Sequence, residues 1–171
     1  MTAPKNTRVA LLAALVGIGL AAAALSARHT LSPAPQAAPR QLAPLFELPG
    51  LEGGTVSNAD LAGRGYVLFF GSPECKPCQN VFPVLRELKN TQVLIVSVGP
   101  EEATRRMQAE YGFTFPIAVD TLHLSRETFR LAGLPTVVRV DRQGYILGSV
   151  DSDMRVIRFL TEAENSLADA P

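Results

Sequence analysis

The strongest constraint on this chain is Cys75-Lys76-Pro77-Cys78, set between an unbroken apolar run and an amphipathic one. Residues 66–70 (YVLFF) are β-formers without polar alternation, which predicts a strand covered on both faces. Val81, Phe82, Leu85 and Leu88 then recur at helical spacing, and Pro83 inside that stripe is expected to kink the helix. A cysteine at a helix N-terminus meets unpaired N–H groups and the positive end of the macrodipole, which favour its thiolate. The thiolate is the nucleophile of thiol–disulfide exchange. A second cysteine one turn later can attack the resulting mixed disulfide. Lys76 adds a positive charge beside Cys75, and Glu74 opposes it.

These are the only two cysteines in the chain. They are too few for a multi-disulfide scaffold and cannot fill a four-ligand zinc site unaided. Three uses stay open on the residues alone. A structural disulfide would close a very short loop and stabilise little. A copper(I) site would place soft thiolates beside His123 or Met107, as in a metal-assembly chaperone. Redox exchange is favoured by the strand before the pair and the helix after it. His123 sits in a connection, where a lone polar residue is expected to be solvated rather than a ligand.

The compartment is read from the N-terminus. Residues 9–25 (VALLAALVGIGLAAAAL) carry no charged or polar side chain, with Lys5 and Arg8 before them and Arg28 and His29 after. The run matches a membrane helix near its lower limit of about 17 residues. It also matches a cleaved signal peptide with Ala24-Leu25-Ser26 as an A-x-A-like site. Basic residues ahead of the run favour an inside N-terminus, so both readings send the rest of the chain out of the cytoplasm. The expected organisation is an anchor or signal segment over 1–27, a Pro/Ala-rich linker over 28–44, and a folded domain over 45–168. Pro33, Pro35, Pro39 and Pro44 make the linker extended. Sixteen basic and sixteen acidic residues give zero net charge and no basic footprint for nucleic acid.

Within the domain, a strand near residue 46, a turn at Glu52-Gly53-Gly54 and a short strand at Thr55-Val56 lead into a helical turn capped by Ser57 or Asn58. Residues 93–98 (VLIVSV) predict another covered strand. Residues 101–111 predict a helix with Ala103, Met107 and Tyr111 on one side, stopped by Gly112. A short strand follows at 116–119. Leu124, Thr128, Phe129 and Leu131 suggest a further helix, stopped by Gly133. Residues 136–140 and 145–150 flank a hairpin with Gly144 left-handed. Asp153 is expected to cap a last helix whose Met154, Ile157, Leu160 and Leu167 face inward. Strands alternating with helices, then a hairpin and a helix, predict an α/β domain with a mixed sheet.

The segments LFELPGLEGGTVSNADLAGRGYVLFFGSPECKPC, VFPVLREL and GLPTVVRVDRQGYI resemble the thioredoxin superfamily. The resemblance covers residues 42–165. It is nearest to membrane-anchored TlpA/ResA-type thiol:disulfide oxidoreductases, including the thioredoxin-like accessory type of methylamine utilisation. It rests on the C-x-x-C after the first core strand, on Pro83 eight residues beyond Cys75, and on Gly133-Leu134-Pro135-Thr136 as the family's G-x-P-T.

The resemblance implies a thioredoxin-like fold with an N-terminal β-hairpin extension and a mixed central sheet flanked by helices. It implies Cys75 as nucleophile, Cys78 as resolving thiol and a cis Pro135 against them. The Leu134 backbone would pair with the substrate strand, with Thr136, Lys76, Pro77 and Glu74 supporting the groove. It further implies protein disulfide substrates, a membrane electron donor, a bacterial inner-membrane anchor with the domain in the periplasm, and no dissociable cofactor.

Two departures matter. Phe69 and Val81 stand where relatives place a proton-shuttling acid, which leaves Glu74 or water for that role. Glu74 itself replaces a common Trp. Pro77 before the second cysteine, rather than His, is similar to the reductases. A reductase or isomerase-like helper is therefore expected, with apocytochrome cysteines (cytochrome c biogenesis), a disulfide-rich exported subunit or copper-site thiols as substrates. A peroxidase of the related peroxiredoxin group would need a P-x-x-x-T-x-x-C pattern that is absent, since Ser72 and Pro73 crowd the cysteine.

Overall fold

A computed structural model describes residues 40–168, with the side chains of 166–168 left out. The apolar run at 9–25, Lys5, Arg8, His29 and the linker up to residue 39 lie outside the described residues. Among those described, no helix is long and apolar enough to cross a membrane.

Five strands form a mixed sheet in the order β5-β4-β3-β6-β7. They are β3 (Tyr66–Gly71), β4 (Val93–Val98), β5 (Ile117–Asp120), β6 (Thr136–Val140) and β7 (Ile146–Asp151). The central β3 is parallel to β4 and antiparallel to β6. A separate antiparallel hairpin, β1 (Glu47–Pro49) with β2 (Thr55–Ser57), precedes them. The α/β class, the mixed sheet and the N-terminal hairpin are those expected.

Alternation along the buried strands divides the apolar side chains between two cores. Val67, Phe69, Ile95, Ile117 and Val137 face one side. There they meet three helices, α1 (Lys76–Glu87), α2 (Glu101–Tyr111) and α4 (Asp153–Ala168). Leu68, Phe70, Leu94, Val96 and Val138 face the other side, under the β1–β2 hairpin and Phe129. Phe82 of α1 meets Phe69, Tyr111 and Phe113 edge to face, which locks α1 and α2 over the first core.

The hairpin is pinned by a short 3-10 turn, Asn58–Leu61. Ser57 is its cap, and Asp60 returns a bond to the Ser57 N–H, completing a capping box. Asn58 is instead buried. Its amide donates to the Pro44 carbonyl and the Tyr66 hydroxyl, and its oxygen accepts the Phe46 N–H. Burial pushes the Tyr66 hydroxyl's pKa up, against the opposing bond from Asn58. Before the hairpin, Gln41 and Ala43 bond to Ile146 and Gly144 at the turn between β6 and β7. Gly144 is left-handed at φ 87°, as read from the sequence.

Two helices differ from expectation. The helix after β5, α3 (Leu124–Thr128), has five residues. Leu124 is 51% exposed, and the buried residue is Ser125, which binds Asp120. Arg130 then turns left-handed at φ 51°, so Phe129 and Leu131 leave the helix and pack on the second core. In α4, Asp153 is the first helical residue, not a cap before it, and Met154 is 71% exposed. Val156, Leu160 and Ala163 form the inward stripe. The side chain of Leu167 lies outside the described residues.

Candidate active site

The dithiol forms at the C-terminal end of β3. Ser72 turns the chain by accepting the Cys75 N–H at 3.1 Å and, through its hydroxyl, the Glu74 N–H at 3.3 Å. Cys75 is then the N-cap of α1, in extended conformation. Its carbonyl accepts the Cys78 N–H at 2.9 Å and the Gln79 N–H at 3.2 Å. Its Sγ also receives the Cys78 N–H, at 3.2 Å. Pro77 occupies the first turn, where a missing N–H costs nothing. The cysteines are joined as a disulfide with Cα atoms 5.2 Å apart.

The two sulfurs have unlike surroundings. Cys75 is half-buried, whereas Cys78 is 0% exposed within the first core. Phe69 and Val81 share that core and are themselves fully buried. Among the described residues the only buried charged side chain is Asp120. Its carboxylate is occupied by the Leu124 and Ser125 N–H groups and the Ser125 hydroxyl. Phe69 and Val81 thus belong to the hydrocarbon core that encloses Cys78.

The second half of the site comes from the start of β6. Thr136 is paired with Phe70 of β3, which brings the preceding loop beside the dithiol end of the sheet. The Thr136 hydroxyl donates to the Gly133 carbonyl at 2.7 Å and closes that loop. Leu134–Pro135 is cis, and Pro135 is buried. Leu134 packs on both cores, on the first in company with Cys75. Pro77, Gly133 and Leu134 line one groove of about 450 Å³. Lys76 is exposed at the start of α1. Glu74 is exposed and lines a second groove of about 320 Å³ with Phe82, Arg106, Met107 and Tyr111.

The first groove is completed by residues that sequence reasoning did not place at the site, Asp153 having been read only as a helix cap. Asp151, Ser152, Asp153 and Arg155 form its far wall. Arg155 pairs with Asp151 at 2.9 Å. Asn80 donates to Asp153 at 2.8 Å and so ties α1, beside the dithiol, to the start of α4. That bond and the Met154 N–H hold the Asp153 carboxyl below its ordinary range. The available signal was the Asp-Ser-Asp run directly after the hairpin.

His123 is exposed and left-handed at φ 60°, just ahead of α3. Met107 is 4% exposed in the first core. Among the described residues no group of three or more His, Cys, Asp or Glu side chains is placed to hold a metal ion.

The AhpC/TSA family model matches residues 39–148. The ResA thiol-disulfide oxidoreductase of Bacillus thuringiensis (strain Al Hakam) is 31% identical over 115 residues, covering 63% of this chain and 66% of that protein, just under two thirds of its length. A candidate thiol:disulfide interchange protein DsbE of Chlorobium tepidum has a solved structure with TM-score 0.65 and 25% identity, covering 73% of this chain and 96% of that one. The thioredoxin domain of a thiol-disulfide oxidoreductase of Bacteroides vulgatus superposes with TM-score 0.64 at 20% identity, over 76% and 100% of the two chains.

Proposed function

Because this chain belongs to the AhpC/TSA family of thioredoxin-like proteins, we propose that it is a thiol:disulfide oxidoreductase that reduces or isomerises disulfides of exported proteins. The observation that carries this reading is the asymmetric pair at the head of α1, a half-buried Cys75 whose sulfur receives a helix N–H and a wholly buried Cys78 three residues on. The likeness to ResA-type and DsbE-type proteins supports it.

In the forward direction the reduced protein meets a substrate disulfide. The Cys75 thiolate, stabilised by the N–H groups of the first turn, attacks one substrate sulfur. The substrate S–S bond breaks, one substrate thiolate leaves, and a mixed disulfide joins Cys75 to the substrate. Cys78 then gives up its proton and attacks Cys75 Sγ, which releases the second substrate thiol and forms the Cys75–Cys78 disulfide. Two electrons have passed to the substrate. A membrane-bound dithiol donor returns the pair to the reduced state.

The substrate lies as an extended strand over Leu134, between Pro77 and the Asp151–Arg155 wall. With hydrocarbon around Cys78, its proton leaves by water or Glu74 at the mouth of the site. No dissociable cofactor enters this cycle. The domain works outside the cytoplasm of a bacterium, tethered to the inner membrane through the apolar segment at 9–25. Disulfides formed by apocytochrome cysteines, by a disulfide-rich exported subunit or by copper-site thiols are the substrate class. The peroxidase reading, set aside for want of P-x-x-x-T-x-x-C, gains nothing from these residues. The copper(I) reading has no additional donor cluster to favour it among the described residues.

The test is insulin-disulfide reduction with single cysteine variants. Cys75→Ser is expected to abolish exchange, and Cys78→Ser to accumulate mixed disulfides on non-reducing gels. Full exchange by both variants would overturn the reading.

A further inference from the structure

The end of the sheet opposite the dithiol holds a pocket that the exchange chemistry does not use. β3 runs from Tyr66 at this end to Gly71 at the dithiol end, about 17 Å at roughly 3.3 Å per residue. The pocket, about 460 Å³, is lined by Arg64, Arg139 and Arg142, with Asp141 as the one carboxylate in its lining; Glu164 adjoins it, its oxygens taken up by Asn90 and Thr91 of the lining and by the Lys89 N–H. Among the described residues none of the three guanidinium groups takes part in an ion pair. Asp141 accepts the N–H groups of Gln143 and Tyr145 through Oδ1, which leaves three guanidinium groups against its single carboxylate in the lining. A fourth arginine, Arg40, lies over the Tyr145 ring at 5.8 Å. In a chain of zero net charge this local excess is a feature of the place, not of a basic protein.

Apolar side chains adjoin the cations. Leu147, 59% exposed, lines the pocket itself. Leu42, 58% exposed, lies over Gly144 of the neighbouring turn. Guanidinium groups match phosphate oxygens in bidentate geometry. Exposed leucines beside them have no use for a small hydrated anion, but they suit the boundary between lipid headgroup and acyl chain.

We propose that this pocket binds the phosphodiester headgroup of an anionic phospholipid, with Leu42 and Leu147 at the acyl boundary. The inference rests on the membrane-tethered reading above for its supply of lipid. The described chain also joins the domain at this end, where residues 41–43 bond to the hairpin turn. Lipid bound here leaves the dithiol, at the other end of the sheet, open to protein substrates.

The experiment titrates the full chain, held in an uncharged maltoside detergent, with dihexanoyl phosphatidylglycerol below its micelle concentration. Dihexanoyl phosphatidylcholine and inorganic phosphate are titrated in parallel, and amide shifts of Gly63, Gly65, Arg142 and Gly144 are followed. Saturable shifts are expected with phosphatidylglycerol alone. An Arg64→Gln/Arg142→Gln variant, altered only at exposed loop positions, is expected to bind on the order of 30-fold more weakly, as removal of two basic contacts implies. Its insulin reduction and thermal midpoint should match the parent. Equal binding of phosphatidylcholine, equal binding of inorganic phosphate, or an unchanged affinity in the variant would each overturn the proposal. Insulin reduction on the same samples separates the two claims. Active protein without phosphatidylglycerol binding sinks the lipid site alone, and binding without exchange sinks the exchange reading alone.

Discussion

Cys78 and Glu164 are both held by α4 and α1 packing on one core, yet their surroundings are opposite. Cys78 is enclosed by hydrocarbon, with Phe69 and Val81 where a carboxylate could have stood. Glu164, near the far end of the sheet, is a carboxylate with an unusual number of donors. It accepts the N–H groups of Lys89, Asn90 and Thr91, the Asn90 amide and the Thr91 hydroxyl, all at 2.7 to 3.0 Å. Burial pushes the Glu164 carboxyl up, but the bonds from Thr91, Lys89 and Asn90 outweigh it and leave its pKa lowered. The contrast teaches that this fold can hold a carboxylate firmly and does so for structure. At the thiol pair it places hydrocarbon instead, and the proposed cycle therefore sends the Cys78 proton to the exposed mouth. Exchange chemistry and architectural charge are therefore separable by mutation.

The largest effect should come from the thiol end. Cys75→Ser removes the nucleophile, so insulin reduction is expected to fall to the uncatalysed background while thermal unfolding stays cooperative. Restoring an acid is the next largest change. Val81→Glu places a carboxylate beside Cys78, and resolution of the mixed disulfide is expected to speed up by about 100-fold, the low end of general-base assistance. Burying that group without a partner should lower stability by about 2–3 kcal/mol, read by urea denaturation. A slower variant would show that hydrocarbon around Cys78 is not what limits resolution.

At the opposite end, Glu164→Gln should cost about 2 kcal/mol, because several donors lose a charged acceptor. Insulin reduction at neutral pH should not change. The acid limb follows the same logic. The folded Glu164 pKa is depressed, so its contribution is complete above the unfolded value and is lost as pH falls through the folded one. The parent and Glu164→Gln denaturation midpoints should therefore converge on acidification. The smallest effect is expected for Asp153→Asn at the groove wall. Asp153 is only partly buried and its bond from Asn80 is exposed, so the thermal midpoint should hardly move. Reduction of a cationic disulfide peptide should slow a few-fold relative to a neutral one.

How much of this was legible in the sequence depends on the range of the interaction. Strands β3 and β4 announce themselves because burial on both faces demands an unbroken apolar run, and the dithiol is marked by local spacing. The Ser57 box and the Gly144 turn are also local, set by residues within three or four positions. The resemblance pointed to Pro135, which the structure brings to the dithiol end through β6 pairing with β3. The Glu164 cradle was hidden because its partners lie 73 to 75 residues away, and a lone Glu late in a helix looks like a solvated face. The place of Asp153 at the groove was hidden for the same reason, since Asn80 reaches it only once α1 and α4 have docked. The helix after β5 was overestimated because Phe129 and Leu131 fit a helical stripe. The left-handed turn at Arg130 sends them to the second core instead.

The central claim, reductive exchange at Cys75–Cys78, is tested most directly by the reduction potential of that pair against a glutathione buffer series. With Pro77 ahead of the second cysteine, the account predicts a value near that of thioredoxin, about −270 mV. A value near about −120 mV, that of a strong oxidant, would contradict it.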